Sequence, residues 1–205
     1  MKKLNYSVTR NGKPLDKSLY TLDLDKKIFA SEEDNLVLDF AGINRWNFNT
    51  RYGCAFNTGS YCTFTTSSIC TFKTGSYCTF NTHSGCVFNT GSDCTFKTGS
   101  YCTFHTSSDC AFKTGSGCAF NTVSGCTFHT SSDCAFRTGS YCTFITGPAC
   151  ALVTWKPSRY FLDESHYVLD SNYKLIEIKD KNSALLNCKH PDKTVRDFCN
   201  EIIKG

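Results

Sequence analysis

Apolar and polar residues alternate along the middle of this chain with a period of two, nested within a period of eight. From Cys54 to Cys150 a cysteine stands at every eighth residue; an apolar residue, nearly always Phe, follows two positions later and a threonine two positions after that. We number this octad so that Cys is position 2, Phe position 4 and Thr position 6. Side chains two residues apart lie on one face of a strand, so these three positions are predicted to face inward. A fixed period over this length indicates a repeat protein.

The remaining positions of the octad predict the surface and the turns. Positions 1, 3 and 5 vary and are expected to face outward. Thr-Gly-Ser or Thr-Ser-Ser is expected to turn the corner, with Gly supplying the unusual backbone dihedrals. A strand and turn of eight residues cannot bury its own apolar face, so successive units must stack about 4.8 Å apart. The sequence therefore predicts an all-β fold, a β-solenoid.

Two coil sizes fit this repeat. Two octads per coil give two facing sheets, with Phe and Cys filling a gap of about 10 Å. Three octads per coil give a triangular prism, and the near-duplication of residues 101–116 as 125–140 favours this alternative. One Phe and one Cys from each side would fill a triangular interior poorly, so we favour about 16 residues per coil, with about 24 as the alternative.

The chain divides into residues 1–44, 45–156 and 157–205, in which the repeat is flanked by two caps. Asn11-Gly12 predicts a hairpin in the first segment, and residues 20–24, 28–29 and 36–38 read as further strands. In the last segment, residues 159–162, 167–169 and 173–178 read as strands, and Pro191 is expected to begin a helix. Caps would cover the open ends of the solenoid. The apolar stripe of the helix could instead bind a second copy and give a homodimer.

The repeat resembles known short-period β-solenoids. Small-x-large inward pairs with polar corners resemble pentapeptide-repeat proteins, although the period here is eight and the small residue is Cys rather than Ala. The Cys-Thr-Phe-x-Thr-Gly-Ser octads also resemble uncharacterised repeat proteins of bacteriophages and mobile elements. The resemblance covers roughly residues 45–156. It implies a fold more than an activity, because function depends on sites that differ among proteins of one fold.

The chain contains 15 cysteines, and those in the repeat are expected to be buried, reduced and small. Neighbours in one column point the same way, which is poor geometry for a disulfide, and no closely spaced Cys-x-x-Cys set suggests zinc. We expect no metal and no cofactor.

The polar N-terminus and the lack of a long apolar run predict neither a signal peptide nor a membrane span, which suggests a cytoplasmic protein, in a host cell if a phage encodes it.

Catalysis is not expected from this sequence. The five histidines have no Ser, Cys or carboxylate fixed beside them by a recognisable motif, and no phosphate-binding loop or dinucleotide fingerprint is present.

Outward positions supply the candidate binding residues. Tyrosines at position 1 have a composition common in protein contacts: Tyr61, Tyr77, Tyr101 and Tyr141. Basic and histidine side chains at position 5 could line one stripe that meets phosphates: Lys73, Lys97, Lys113, Arg137, His105 and His129. Three of these octads also carry an aspartate and the net charge is only +4, which weakens the case for nucleic acid.

The favoured hypothesis is a non-catalytic binding or structural protein that presents a rigid, patterned surface to a protein partner, encoded by a phage or mobile element and interfering with a host protein. Nucleic-acid binding through the position-5 residues is one alternative. Ice binding through ladders of outward Thr at position 3 is the other, although Lys beside those ladders is unfavourable for a regular lattice-matching surface.

Overall fold

The computed structural model describes residues 4–139 and 141–147, together with the backbone of four later strands. The predicted helix from Pro191, and the homodimer through it, lie outside the described residues. The strands are, in chain order, β1 (Ser7–Arg10), β2 (Lys13–Pro14), β3 (Thr21–Asp23), β4 (Ile28–Ala30), β5 (Leu36–Phe40), β6 (Asn47–Asn49), β7 (Ala55–Thr58), β8 (Thr63–Thr65), β9 (Thr71–Lys73), β10 (Thr79–Asn81), β11 (Val87–Asn89), β12 (Thr95–Lys97), β13 (Thr103–His105), β14 (Ala111–Lys113), β15 (Ala119–Asn121), β16 (Thr127–His129), β17 (Ala135–Thr138), β18 (Thr143–Thr146), β19 (Ala151–Thr154), β20 (Arg159–Leu162), β21 (His166–Leu169) and β22 (Leu175–Ile178).

Each repeat strand pairs in parallel with the strand two places along the chain. Phe80 of β10 is in register with Phe64 of β8 and with Phe96 of β12, which lie two octads before and after it. The predicted β-solenoid with two octads per coil is therefore confirmed, and the alternative with three octads per coil is wrong. A shift of three octads carries a strand to the opposite sheet, so the near-duplication of residues 101–116 does not correspond to a structural turn.

The coils build two stacked sheets. Sheet I contains the odd-numbered strands from β5 to β19 with β1 and β2 beyond β5, and sheet II contains the even-numbered strands from β4 to β20 with β3 beyond β4. The chain passes from sheet II to sheet I through one corner, which we call corner I, and returns through the other, corner II. The outer surfaces of the two sheets are called face I and face II.

Two interlocking columns of Phe fill the space between the sheets. The Phe88 ring stacks on those of Phe72 and Phe104 in its own sheet, with centroids 4.9 Å apart and planes inclined by 3°. It meets Phe80 and Phe96 of the other sheet edge-on at 5.2 Å. Both arrangements are favourable for aromatic rings. Across the described repeat, the inward Cys and Phe side chains are at most 3% exposed, as the alternation predicts.

The polar atoms of the inward residues bond to the backbone of the corners. The Thr82 hydroxyl donates to the carbonyl of His83 at 3.3 Å. The Cys94 thiol lies 3.4 Å from the carbonyl oxygen of Ser92 and 3.7 Å from that of Gly75 in the preceding coil. The pattern repeats along both columns, so most of the inward Thr and Cys side chains are buried with a hydrogen bond. Within the described residues, the hydroxyls of Thr50, Thr122 and Thr146 are the buried side-chain oxygens without a partner.

The unusual dihedrals lie at position 1, which corrects the expectation for the Gly of Thr-Gly-Ser. Position 1 has a positive φ throughout the described coils, for example 59° at Tyr77 and 61° at Ile69. Gly91 at position 7 has no positive φ, but a Cβ there would lie 2.3 Å from the Ser76 hydroxyl oxygen. That hydroxyl accepts a hydrogen bond from the Ser92 N–H at 3.0 Å, so Gly at position 7 permits a close approach between coils.

The first coil is covered by two short antiparallel segments, the β1–β2 hairpin and β3. The predicted hairpin is confirmed: Asn11 and Gly12 have φ of 52° and 74° and join β1 to β2. β1 lies antiparallel on β5 and β3 antiparallel on β4, whereas β4 and β5 are already parallel to β6 and β7. Tyr6 stacks on Phe40 and Tyr20 on Phe29, with centroids 5.1 and 5.3 Å apart. The outer strands are short and β2 contains Pro14, which discourages pairing with another chain.

Candidate functional surface

The coil size determines which outward residues share a surface. Position-5 residues in every second octad occupy one face, and those in consecutive octads occupy opposite faces. The six basic and histidine side chains expected to form one stripe are therefore divided: Lys73, His105 and Arg137 lie on face I, and Lys97, Lys113 and His129 lie on face II.

Cations on face I are separated from one another. The position-5 column of sheet I alternates an asparagine with a basic or histidine residue, in the order Asn57, Lys73, Asn89, His105, Asn121 and Arg137. Each charged side chain therefore has a neutral amide as its neighbour in the adjacent coil. This arrangement disperses positive charge along face I.

Cations on face II are adjacent. Lys97 of β12 is directly in register with Lys113 of β14, and Lys113 is in register with His129 of β16. All three side chains are exposed. We call these three residues the basic row. Successive strands of a sheet lie about 4.8 Å apart, so the row spans about 10 Å.

Asp93 and Asp109 do not neutralise the basic row by direct contact. Each aspartate occupies position 1 of the octad that holds Lys97 or Lys113, at corner II and two residues before the strand that the lysine ends. In residues 4–139 and 141–147, the ion pairs are Arg10–Glu33, Lys26–Asp23 and Arg51–Glu32, and none involves the basic row. The two lysines are therefore neighbouring like charges without an acid in contact.

Tyr61 and Tyr77 belong to a row of interacting side chains along corner II. Their rings stack with centroids 4.8 Å apart, and the guanidinium of Arg45 lies 5.5 Å from the centroid of the Tyr61 ring. At the other end, the negative charge of Asp93, followed by the neighbouring Tyr61, raises the pKa of Tyr77. These two tyrosines are therefore held by their own neighbours.

Tyr101 and Tyr141 are much more exposed, at 75% and 78%. Tyr141 shares corner II with Tyr61 and Tyr77 but is four coils beyond Tyr77, whereas Tyr101 lies on corner I. The Tyr101 ring leans over Gly117, where an added Cβ would lie 2.7 Å from a ring carbon. The four tyrosines thus do not form one cluster.

A shallow depression of about 240 Å³ lies on face I, lined by Thr103, His105, Ala119, Asn121, Ala135 and Arg137 among others. Its floor includes the small side chains of Ala119 and Ala135, whereas Thr71 and Val87 occupy the equivalent position in earlier coils. Sequence reasoning missed this depression. Aligning every second octad shows the signal, because Ala119 and Ala135 then fall next to each other.

No family model matches this chain, and no curated protein and no solved structure matches it. Among the described residues no helix is long and apolar enough to cross a membrane. The same part of the chain contains no group of three or more His, Cys, Asp or Glu side chains placed to hold a metal ion.

Proposed function

We propose that this chain is a non-catalytic β-solenoid that presents a rigid, patterned surface to a protein partner. The observation that carries the proposal is the contrast between its interior and its exterior. The interior repeats the same Cys and Phe contacts in coil after coil, while the outward residues differ between faces and along each face. A core of this kind fixes the spacing of outward side chains, which favours recognition over chemistry.

Face I around the depression is the surface that suits a protein partner best. Arg137 and His105 lie beside an apolar floor, and the exposed Tyr141 occupies the corner that follows Arg137. Tyr and Arg are enriched in protein interfaces, and they contribute most where they surround an apolar centre. Tyr61 and Tyr77 are less suited to this role because they already contact each other.

The partner is proposed to be a host protein in the cytoplasm. The likeness of the octads to bacteriophage and mobile-element repeat proteins supports a phage or mobile-element origin for the chain. A rigid binding protein from such an element would act by occupying a surface of a host protein and interfering with its function.

Site-specific photo-crosslinking tests the proposal. A photoreactive phenylalanine analogue replaces Tyr141 in one variant and Asn57 in another; Asn57 occupies the same column as Arg137, five coils away. Expression in the native cell should give a discrete protein adduct from position 141 and none from position 57. The isolated partner should then bind Arg137→Asn at least about tenfold more weakly. No adduct at 141, or equal adducts at both positions, would contradict protein binding by this surface.

The Thr ladder of face II favours ice binding as a second candidate. Thr63, Thr79 and Thr95 are directly in register on adjacent strands. The position-5 column beside this ladder changes from Thr65 to Asn81 to Lys97. The regular array of Thr is therefore only one residue wide. Thermal hysteresis of micromolar protein would support this function, and freezing that is indistinguishable from that of a buffer control would remove it.

A further inference from the structure

The basic row has a feature that the fold does not require. The position-5 column of sheet II also contains Asn49, Thr65, Asn81 and Ile145, so neutral side chains satisfy this place in the coil. Like charges directly opposite each other on neighbouring strands reduce stability. Lys97 and Lys113 therefore lie in an arrangement that reduces the stability of the free protein, although asparagine would fit.

Face I shows that the repeat can carry cations without this cost. There an asparagine separates each basic or histidine side chain from the next, as in Lys73 between Asn57 and Asn89. The two faces are built from the same octad, so their difference does not arise from the geometry of the strands. An anion that binds between adjacent lysines would offset their repulsion. Within the described repeat, Lys97 and Lys113 on face II form such a pair.

The surroundings of the basic row suit a flexible phosphodiester chain. Thr95 and Thr127 expose hydroxyl groups at position 3 of β12 and β16, and such groups commonly contact phosphates together with Lys. The row is one side chain wide and lies on the face of a sheet, so it can follow a single strand but cannot enter the groove of a duplex.

Tyr101 adds a stacking surface to the same two coils. It follows Lys97 by four positions, at corner I beside face II. Its ring leans over Gly117, which follows Lys113 by four positions. The exposed ring thus covers corner I, into which both lysine-bearing strands lead. Aromatic side chains beside basic grooves stack the bases of single-stranded nucleic acids.

We propose that the basic row Lys97–Lys113–His129, with Tyr101, binds single-stranded nucleic acid without sequence preference: phosphates lie along the row and a base stacks on Tyr101. This surface is distinct from the face I depression. The two proposals can therefore be tested separately, and either can fail alone.

The test measures binding of a fluorescent oligothymidine of about 20 nucleotides by anisotropy. Two phosphate contacts to a single strand should weaken binding about sevenfold between about 50 and about 200 mM salt. Lys97→Asn/Lys113→Asn should abolish most of this salt dependence. Its asparagines reproduce the neighbouring coil of Asn81, so the variant should fold with the same far-ultraviolet circular dichroism as the parent. The matched control is Lys73→Asn on face I, which should bind like the parent.

Tyr101→Ser and heparin distinguish nucleic acid from other polyanions. Loss of one stacked base should weaken oligothymidine binding at least about fivefold, whereas heparin, which has no bases, should bind this variant and the parent equally. Binding of heparin without oligothymidine, an equal loss in the Lys73 control, or an unchanged affinity of Tyr101→Ser would each overturn the proposal. A protein adduct mapped to the basic row, with no oligothymidine binding at low salt, would assign face II to a protein instead.

Discussion

The phenol rings of Tyr61 and Tyr77 stack on each other at corner II, with centroids 4.8 Å apart and planes inclined by 5°. Both residues have a positive φ, of 60° and 59°, a conformation that bulky side chains adopt at a cost. The identical backbone of successive coils places the two rings at the strand spacing, which is close to the ideal distance for offset stacking. The repeat thus aligns exposed side chains as well as buried ones.

Alkaline titration tests the link between this stack and Asp93. The carboxylate of Asp93 and the neighbouring Tyr61 raise the pKa of Tyr77 above the ordinary value of 10.0. Because the raised pKa favours the neutral phenol in the folded state, stability is retained below pH 10 and declines as the pH rises through the pKa of Tyr77. Asp93→Asn should lower the pKa of Tyr77 and reduce this alkaline loss, as followed by phenolate absorbance. Asp109→Asn, one coil further, is the control; an equal shift in both variants would rule out the direct effect of Asp93.

Gly91→Ala tests the close approach at position 7. The new Cβ would lie 2.3 Å from the Ser76 hydroxyl oxygen, which must move and give up its bond from the Ser92 N–H. We expect a loss of about 1–3 kcal/mol in the free energy of unfolding, measured by denaturant titration. Ser107→Ala is the matched control, since residue 107 occupies the same position one coil later and already has a Cβ. An unaffected Gly91 variant would show that the hydroxyl is not needed there.

Ile69→Asn should stabilise the protein. Ile69 has a φ of 61° and a side chain that is 54% exposed, so a β-branched residue is held in the left-handed region with little burial to compensate. Asparagine tolerates this region better, and we expect a gain of about 1 kcal/mol in the free energy of unfolding. Asp93→Asn places the same residue at an equivalent φ but removes no β-branch, so it should give no comparable gain. A destabilised Ile69 variant would indicate that its packing outweighs the backbone strain.

Phe88→Ala should be among the most damaging single changes in the repeat. The ring is fully buried and contacts four other rings in two directions. Its removal should lower the free energy of unfolding by about 3–5 kcal/mol, and Phe88→Leu should cost less because it leaves a smaller cavity. Val87→Ala, at the exposed neighbouring position, should change stability by less than about 1 kcal/mol. Equal effects of the two alanine variants would contradict the interlocked core.

Three buried repeat thiols whose pKa is raised, those of Cys62, Cys94 and Cys126, should resist alkylation in the native state. Hydrogen bonding with Cys110 and Cys78, and then burial, raises the pKa of Cys94, so little thiolate forms there near neutral pH. Iodoacetamide treatment followed by peptide mass spectrometry should leave Cys62, Cys94 and Cys126 unmodified in native protein and modify all three in denaturant. The raised pKa predicts that this protection persists at mildly alkaline pH. Rapid native labelling of these cysteines would show that the coils open or are not stacked as described.

Local pattern was enough to predict the strands and the inward residues. The alternation of Cys54, Phe56 and Thr58, repeated in every octad, requires an extended strand because only a strand puts every second side chain on one side. Asn11-Gly12 predicted the hairpin for an equally local reason, since both residues tolerate a positive φ. The position-1 conformation was missed because Tyr and Ile, which are not typical left-handed residues, share this position with Gly and Asp, which are. Closure of the corner requires the conformation whichever residue stands there.

The octad pattern alone specifies a β-solenoid with Cys and Phe inside, whereas the number of octads that close a coil follows from packing between distant parts of the chain. That number depends on how rings from different octads mesh, such as Phe64 against Phe72 edge-on at 5.2 Å and Phe64 on Phe80 stacked at 5.0 Å. Coil size in turn makes Lys97 adjoin Lys113 and puts Lys73 on the other face. The surface is therefore a product of core packing, which no single octad specifies.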